Sequence, residues 1–159
     1  STTPPSNAWD PVPIVRQIFQ DIATDSAKDA PSSRFVTRMI PMQVTCYTSE
    51  EELTLASRLL FQHYLPKSTK TFGIALKRRL CHEQLTKEKI INLLAQQLIE
   101  VVPTCKVQLD NPEITIVVEI CKTLCGMSIV PHCHETFGNF NLAVAREKAN
   151  PEDSDNNDE

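Results

Sequence analysis

The spacing of hydrophobic positions along this chain changes several times, and each change marks an element. Ile14, Val15, Ile18, Phe19 and Ile22 recur at helical spacing behind Asp10 and Pro11, a good N-cap and first-turn pair. Residues Arg34 to Cys46 read as an extended segment. Pro41 cannot donate a ladder hydrogen bond, so that strand is an edge strand, bulged, or broken there. Helical spacing returns at Leu53, Ala56, Leu60 and Tyr64, behind a capping box of Ser49 and Glu52, and Pro66 stops the helix. From Thr71 the period falls to two. Phe72, Ile74 and Leu76 share one face, and Thr71, Gly73, Ala75 and Lys77 share the other. The second face is small until Lys77, which lets another backbone or a bulky ligand come close, with close packing of a helix the favoured reading. Another helix runs from about residue 86 to 102. Thr86 caps it, Ile90, Ile91, Leu94, Ala95, Leu98 and Val101 face inward, and Asn92, Gln96, Gln97 and Glu100 face water. After the turn Asp110-Asn111-Pro112, two stretches rich in Ile and Val, 114–120 and 123–130, meet at Cys121-Lys122 and read as a β-hairpin.

The order is therefore helix, strand, helix, strand, helix, strand, strand: an α/β (α+β) chain with helices packed against a mixed sheet. Residues 1–8 are polar and Pro-rich and are expected to be disordered. Periodicity fades beyond Pro131, and from Glu147 onward an acidic, Asn-rich tail has no means of burying a core. A chain of 159 residues forms one domain, with or without appendages. No run of eighteen apolar residues occurs, which argues against a membrane-spanning helix and a membrane partner. The N-terminus shows no signal peptide, and the missing initiator Met suggests a piece of something longer.

Charge is distributed unevenly. The net charge is -4, yet the tail from Glu147 holds six acids and one Lys. Between Arg34 and Lys106 eleven Lys and Arg stand against six acids. A basic middle points to a polyanionic partner. The cations best placed to bind phosphate are Lys77, Arg78 and Arg79 at a strand end, with Lys67, Lys70, Arg34 and Arg38; the competing reading is a solvated surface. Aromatic residues make up only 6%, so no base-stacking platform is expected.

Catalytic signals are lacking. There is no P-loop, G-x-G-x-x-G, G-x-S-x-G or H-E-x-x-H, and only Gly73, Gly126 and Gly138 are available for a phosphate cradle. Cys121, Cys125, His132 and His134 are close in sequence, but neighbours on an extended segment point apart, so no metal is expected. Cys81-His82 is a poor thiolate pair for the same reason. With no secretory signal, the six cysteines are expected to be reduced.

Two stretches resemble the THUMP family. One is Thr71-Phe72-Gly73-Ile74-Ala75-Leu76-Lys77-Arg78-Arg79. The other is Val107-Gln108-Leu109-Asp110-Asn111-Pro112-Glu113-Ile114-Thr115-Ile116-Val117-Val118-Glu119-Ile120. The chain departs from the family pattern at Gln108, where Asp is usual, and conservatively at Glu113. The resemblance covers about residues 34–142. It implies a THUMP domain at 49–142, preceded at 9–48 by part of a ferredoxin-like domain, with disordered 1–8 and an acidic tail at 143–159. It further implies an RNA-binding module of tRNA modification. Arg38-Met39-Ile40-Pro41, Thr45-Cys46 and Phe140-Asn141-Leu142 look like stand-alone members of the family. Those members act as tRNA adaptors for a separate RNA cytidine acetyltransferase. The implied role is non-enzymatic, without a cofactor. The chain would bind serine and leucine tRNAs and present a D-arm cytidine, in the nucleus or nucleolus. The alternative is the RNA-binding fragment of a larger THUMP-fused enzyme, such as a guanosine methyltransferase. A third possibility is a protein–protein module that binds no RNA by itself.

Overall fold

The computed structural model describes residues 10–24, 36–80, 85–138, 140–142 and 145. Arg34, the Cys81-His82 pair, residues 1–8 and the tail from Glu147 lie outside the described residues. The chain divides into two compact units, one formed by residues 1–41 with 133–159, the other by Met42–His132.

The second unit carries the sheet. Its elements are β1 (Val44–Tyr47), α2 (Glu50–Tyr64), β2 (Thr71–Arg79), α3 (Lys87–Val101), β3 (Lys106–Val107), β4 (Ile114–Cys121) and β5 (Leu124–Pro131), following α1 (Pro11–Ala23) in the first unit. The strand order is β1-β5-β4-β2-β3. β2 pairs in parallel with both β3 and β4, while β5 is antiparallel to β4 and β1. The parallel pairing follows from the intervening helix: a strand can return beside its predecessor in the same direction only after a crossover.

The period-two reading of β2 and β4 holds. Phe72, Ile114, Ile116, Val118, Ile120, Met127 and Ile129 join one buried cluster with Leu53, Leu60 and Phe61 of α2 and Ile90, Leu94 and Leu98 of α3. Phe72 is 0% exposed. Both helices thus pack on the Phe72 face. On the small face, the expected helix is not what meets Gly73. Pro112 and the Gln108 carbonyl lie there instead, and a Cβ on Gly73 would stand 3.0 Å from Pro112 Cγ and 3.2 Å from that oxygen.

This close approach explains why the two stretches of the resemblance belong together. The Gln108 N–H donates to the Phe72 carbonyl (2.8 Å), and the Glu113 N–H donates to Thr71 Oγ1 (3.0 Å). In return, Glu113 Oε2 accepts the Lys70 N–H (2.8 Å). Asn111 takes a positive φ of 45°, a conformation that Asn tolerates better than most residues, and Pro112 follows over Gly73. Gln108, the departure from the family pattern, donates its side-chain amide to the carbonyls of Asp110 (2.6 Å) and Asn111 (3.2 Å) and so ties the turn from within.

Other expectations are refined. Thr86 Oγ1 accepts the Lys89 N–H, as a cap should. Ser49 Oγ accepts the Glu52 N–H (3.2 Å), but the Ser49 N–H goes to the Tyr47 carbonyl (3.0 Å), so only half of the capping box forms. Of the extended segment, the described residues 36–46 are regular strand only from Val44; the break at Pro41 is the one its missing N–H leads one to expect. The two-residue strand β3 was invisible to periodicity.

In the first unit, α1 is rotated from the expected face. Val12, Val15 and Phe19 are buried, whereas Ile14 is 53% exposed. A short helix, α4 (Cys133–Phe137), stands where periodicity had faded. The Phe19 ring meets Phe137 edge-on at 5.3 Å, and Phe137 stacks on Phe140 at 5.2 Å. Arg38 and Asn141 form an antiparallel bridge, and the Leu142 N–H donates to the Thr37 carbonyl (2.9 Å). The two segments that look like stand-alone family members therefore lie against each other.

Candidate nucleic-acid interface

β2 continues through Arg79, so Lys77, Arg78 and Arg79 lie within the strand rather than closing it. Parity then sorts them. Lys77 and Arg79 share the small face and are exposed, with Ala75, also exposed, before them. Arg78 points to the face of Phe72, Ile74 and Leu76; it is half-buried and its Nε is shielded from solvent. Its register neighbour on β4 is the buried Ile120. Arg78 is thus placed to cover the edge of the core with its aliphatic stem.

The neighbours of Lys77 and Arg79 come from pairing that a linear pattern does not reveal. Lys77 stands beside Glu119, and Arg79 beside Cys121. The Lys122 N–H donates to the Arg79 carbonyl (3.0 Å), which fixes the β4–β5 turn next to the end of β2 and adds an exposed lysine there. Lys122 has φ 55°, the left-handed conformation of a tight hairpin turn.

A second group of cations lies at the other end of β2. Lys67 and Lys70 are exposed in the loop that enters the strand. Lys106 of β3 pairs with Thr71, its N–H donating to the Lys70 carbonyl (2.9 Å). Lys70 and Lys77 are seven residues apart, about 23 Å along a strand. The two groups cannot hold one phosphate. They are spaced to follow a backbone.

Arg38 belongs to the first unit. It is half-buried and its Nε is shielded from solvent. Sequence reasoning missed Lys106 and Lys122. Each becomes part of a cluster only because β3 and β4 flank β2, and that adjacency has no signature along the chain.

The cysteine and histidine cluster does not converge. Cys121 lies on the face of Lys77 and Arg79, while Cys125 lies on the core face opposite Cys46. His132 follows the far end of β5, about 23 Å from Cys125 along the strand. Among the described residues no three His, Cys, Asp or Glu side chains come together to hold a metal. The S–H of Cys125 draws the Cys46 thiol below its ordinary pKa, against the upward push of burial and Glu52. Burial raises the Cys105 thiol, helped by the Glu113 carboxylate. Among the described residues no helix is long and apolar enough to cross a membrane.

The THUMP domain family model matches residues 47–130. THUMP domain-containing protein 1 homolog from Drosophila melanogaster is 32% identical over 144 residues, covering 91% of this chain and 42% of that protein. THUMP domain-containing protein 1 from Homo sapiens is 30% identical over 134 residues, covering 84% of this chain and 36% of that protein. The chain thus spans well under half the length of these curated relatives. The solution structure of the THUMP domain of THUMP domain-containing protein 1 is 28% identical, with a TM-score of 0.44, and covers 51% of this chain and 83% of that one. THUMP-domain proteins bind RNA and are associated with tRNA modification, and this chain belongs to that family.

Proposed function

We propose that this chain is a non-catalytic tRNA-binding adaptor. It holds a serine or leucine tRNA and presents a D-arm cytidine to a separate RNA cytidine acetyltransferase, which supplies acetyl-CoA and ATP chemistry. The observation that carries the RNA part is the division of basic residues along β2. Lys77 and Arg79 are exposed on one face, with Lys122 beside them, and Lys67, Lys70 and Lys106 stand about 23 Å away. A-form RNA hides its bases in a deep, narrow groove, so contacts of this kind fall on phosphates, 2′-hydroxyls or a single-stranded end.

The adaptor part draws support from the absence of catalytic motifs in the sequence and from the likeness to THUMP domain-containing protein 1. A nucleolar or nuclear location would follow from that role. Reconstitution tests it. The acetyltransferase, serine tRNA, acetyl-CoA and ATP are incubated with and without this chain, and N4-acetylcytidine is measured by mass spectrometry of the digested tRNA. Acetylation that rises with added chain supports the adaptor. Acetylation equal in both reactions, with tRNA bound by the chain, removes the adaptor role and leaves the RNA-binding role standing.

A further inference from the structure

On the exposed end of the small face, sheet register aligns one residue from each of four strands. Tyr47 of β1 pairs with Leu124 of β5, Leu124 with Cys121 of β4, and Cys121 with Arg79 of β2. All four are exposed, Tyr47 by 66% and Leu124 by 58%. The next row is Thr45, Gly126, Glu119 and Lys77. Gly126 has no side chain, and the Met42 thioether fills that space; a Cβ there would stand 2.6 Å from Met42 Sδ. One end of this surface is thus an aromatic and apolar floor of Tyr47, Leu124 and Met42. The other end is cationic, with Arg79, Lys77 and Lys122, and Glu119 is the one acid in the two rows.

We infer that this face binds single-stranded RNA, with one unstacked base lying on the Tyr47 ring and phosphates further along the same strand held by Lys77 and Arg79. The inference rests on the RNA-binding reading above and names the part of the RNA that the face takes. Four strands spaced about 4.8 Å apart put Tyr47 roughly 14 Å from Arg79 across the sheet. That is a span for a short stretch of single strand, not for one nucleotide. A base inside a duplex has no free π-face, so the ring can act only on a base that has left its stack. Charge sets the occupant: three cations flank the floor, and a phosphodiester backbone complements them. The low aromatic content of the chain predicted no stacking platform. What composition does not report is that a tyrosine stands exposed on the same face as Lys77 and Arg79.

The test uses the 159-residue chain and a short single-stranded oligoribonucleotide carrying 2-aminopurine, titrated at several salt concentrations. Binding should quench the 2-aminopurine. Tyr47→Phe should retain affinity and quenching, because the ring remains. Tyr47→Leu should lose affinity by on the order of tenfold and lose the quenching, with an unchanged dependence on salt. Thermal melts establish that each variant is folded, and Leu keeps an apolar residue in the strand. Wild-type affinity in folded Tyr47→Leu overturns the inference, as does a loss in Tyr47→Phe equal to that in Tyr47→Leu. Failure of the unmodified chain to bind either this oligonucleotide or tRNA would instead overturn the RNA-binding reading itself.

Discussion

Replacing Lys77 and Arg79 together by Ala should weaken tRNA binding in a manner that salt reveals. Both side chains are exposed on one face of β2, so their removal leaves the Phe72 side of the sheet intact. If each neutralises one phosphate, each contributes about 0.7 to the slope of log affinity against log salt for a single strand, and about 0.9 for a duplex. The double variant should therefore lose about 1.4 to 1.8 units of slope. At 0.1 M salt the same relation gives a loss of about 25-fold to 60-fold, shrinking to about fourfold near 0.4 M. Arg78→Ala provides the contrast. Its side chain lies beside the buried Ile120 and its Nε is shielded. It should lower the melting temperature while leaving the slope nearly unchanged. Anisotropy titrations across salt, with a melt of each variant, are sufficient. A folded double variant with wild-type affinity and slope would take this face out of the RNA site. A larger slope change in Arg78→Ala than in the double variant would show that the parity argument assigns the wrong side chains.

Phe72→Ala should destabilise the fold by about 3–5 kcal/mol, because the ring is fully buried between sheet and helices, and denaturant unfolding measures this directly. Gly73→Ala should cost about 1–3 kcal/mol, since its Cβ would press on the Pro112 ring and on the carbonyl of Gln108, a residue anchored through its own N–H to the Phe72 carbonyl. Gly126→Ala should cost less than Gly73→Ala, because the atom it meets belongs to the flexible Met42 side chain; the reverse order in paired melts would contradict this. Burial raises the folded Cys105 pKa, so above an unfolded thiol value of about 8.5 the unfolded chain releases its proton first. Stability should then fall as pH rises from there toward the folded pKa, and Cys105→Ala should flatten that decline in denaturant titrations at several alkaline pH values.

The sequence displayed those features of this fold that depend on one element at a time. Period two assigned Phe72, Ile74 and Leu76 to the core. Helical spacing found α2 and α3, because their apolar stripes meet a sheet face directly. It misjudged α1, where Val12 replaces Ile14 on the buried side. Three apolar residues near the N-terminal end, Val12, Ile14 and Val15, fit two overlapping stripes, and only the partner decides between them. The aromatic trio of Phe19, Phe137 and Phe140 is assembled from distant parts of the chain.

The candidate site was less legible because a binding surface is a property of neighbours. Read along the chain, Arg34, Arg38, Lys67, Lys70, Lys77, Arg78 and Arg79 form one basic list. Sheet pairing divides that list and completes it. Lys106 joins Lys70 because β3 runs beside β2, and Lys122 joins Arg79 because the β4–β5 turn is hydrogen-bonded to the end of β2. Tyr47 joins them from three strands away, through a register that begins at the edge of the sheet. The motif residues behave differently. Thr71, Gly73, Asn111, Pro112 and Glu113 hold the entry of β2 against the loop before β4, by a hydroxyl acceptor, a missing Cβ, a positive φ, a ring and a carboxylate. None of these is exposed in the manner of Lys77 or Arg79 except Asn111. The residues that make the family recognisable therefore set strand order and register. The side chains that would touch RNA are carried by that register and need not be part of the recognisable pattern. A basic residue should be judged here by its row on the sheet, not by its distance from the motif.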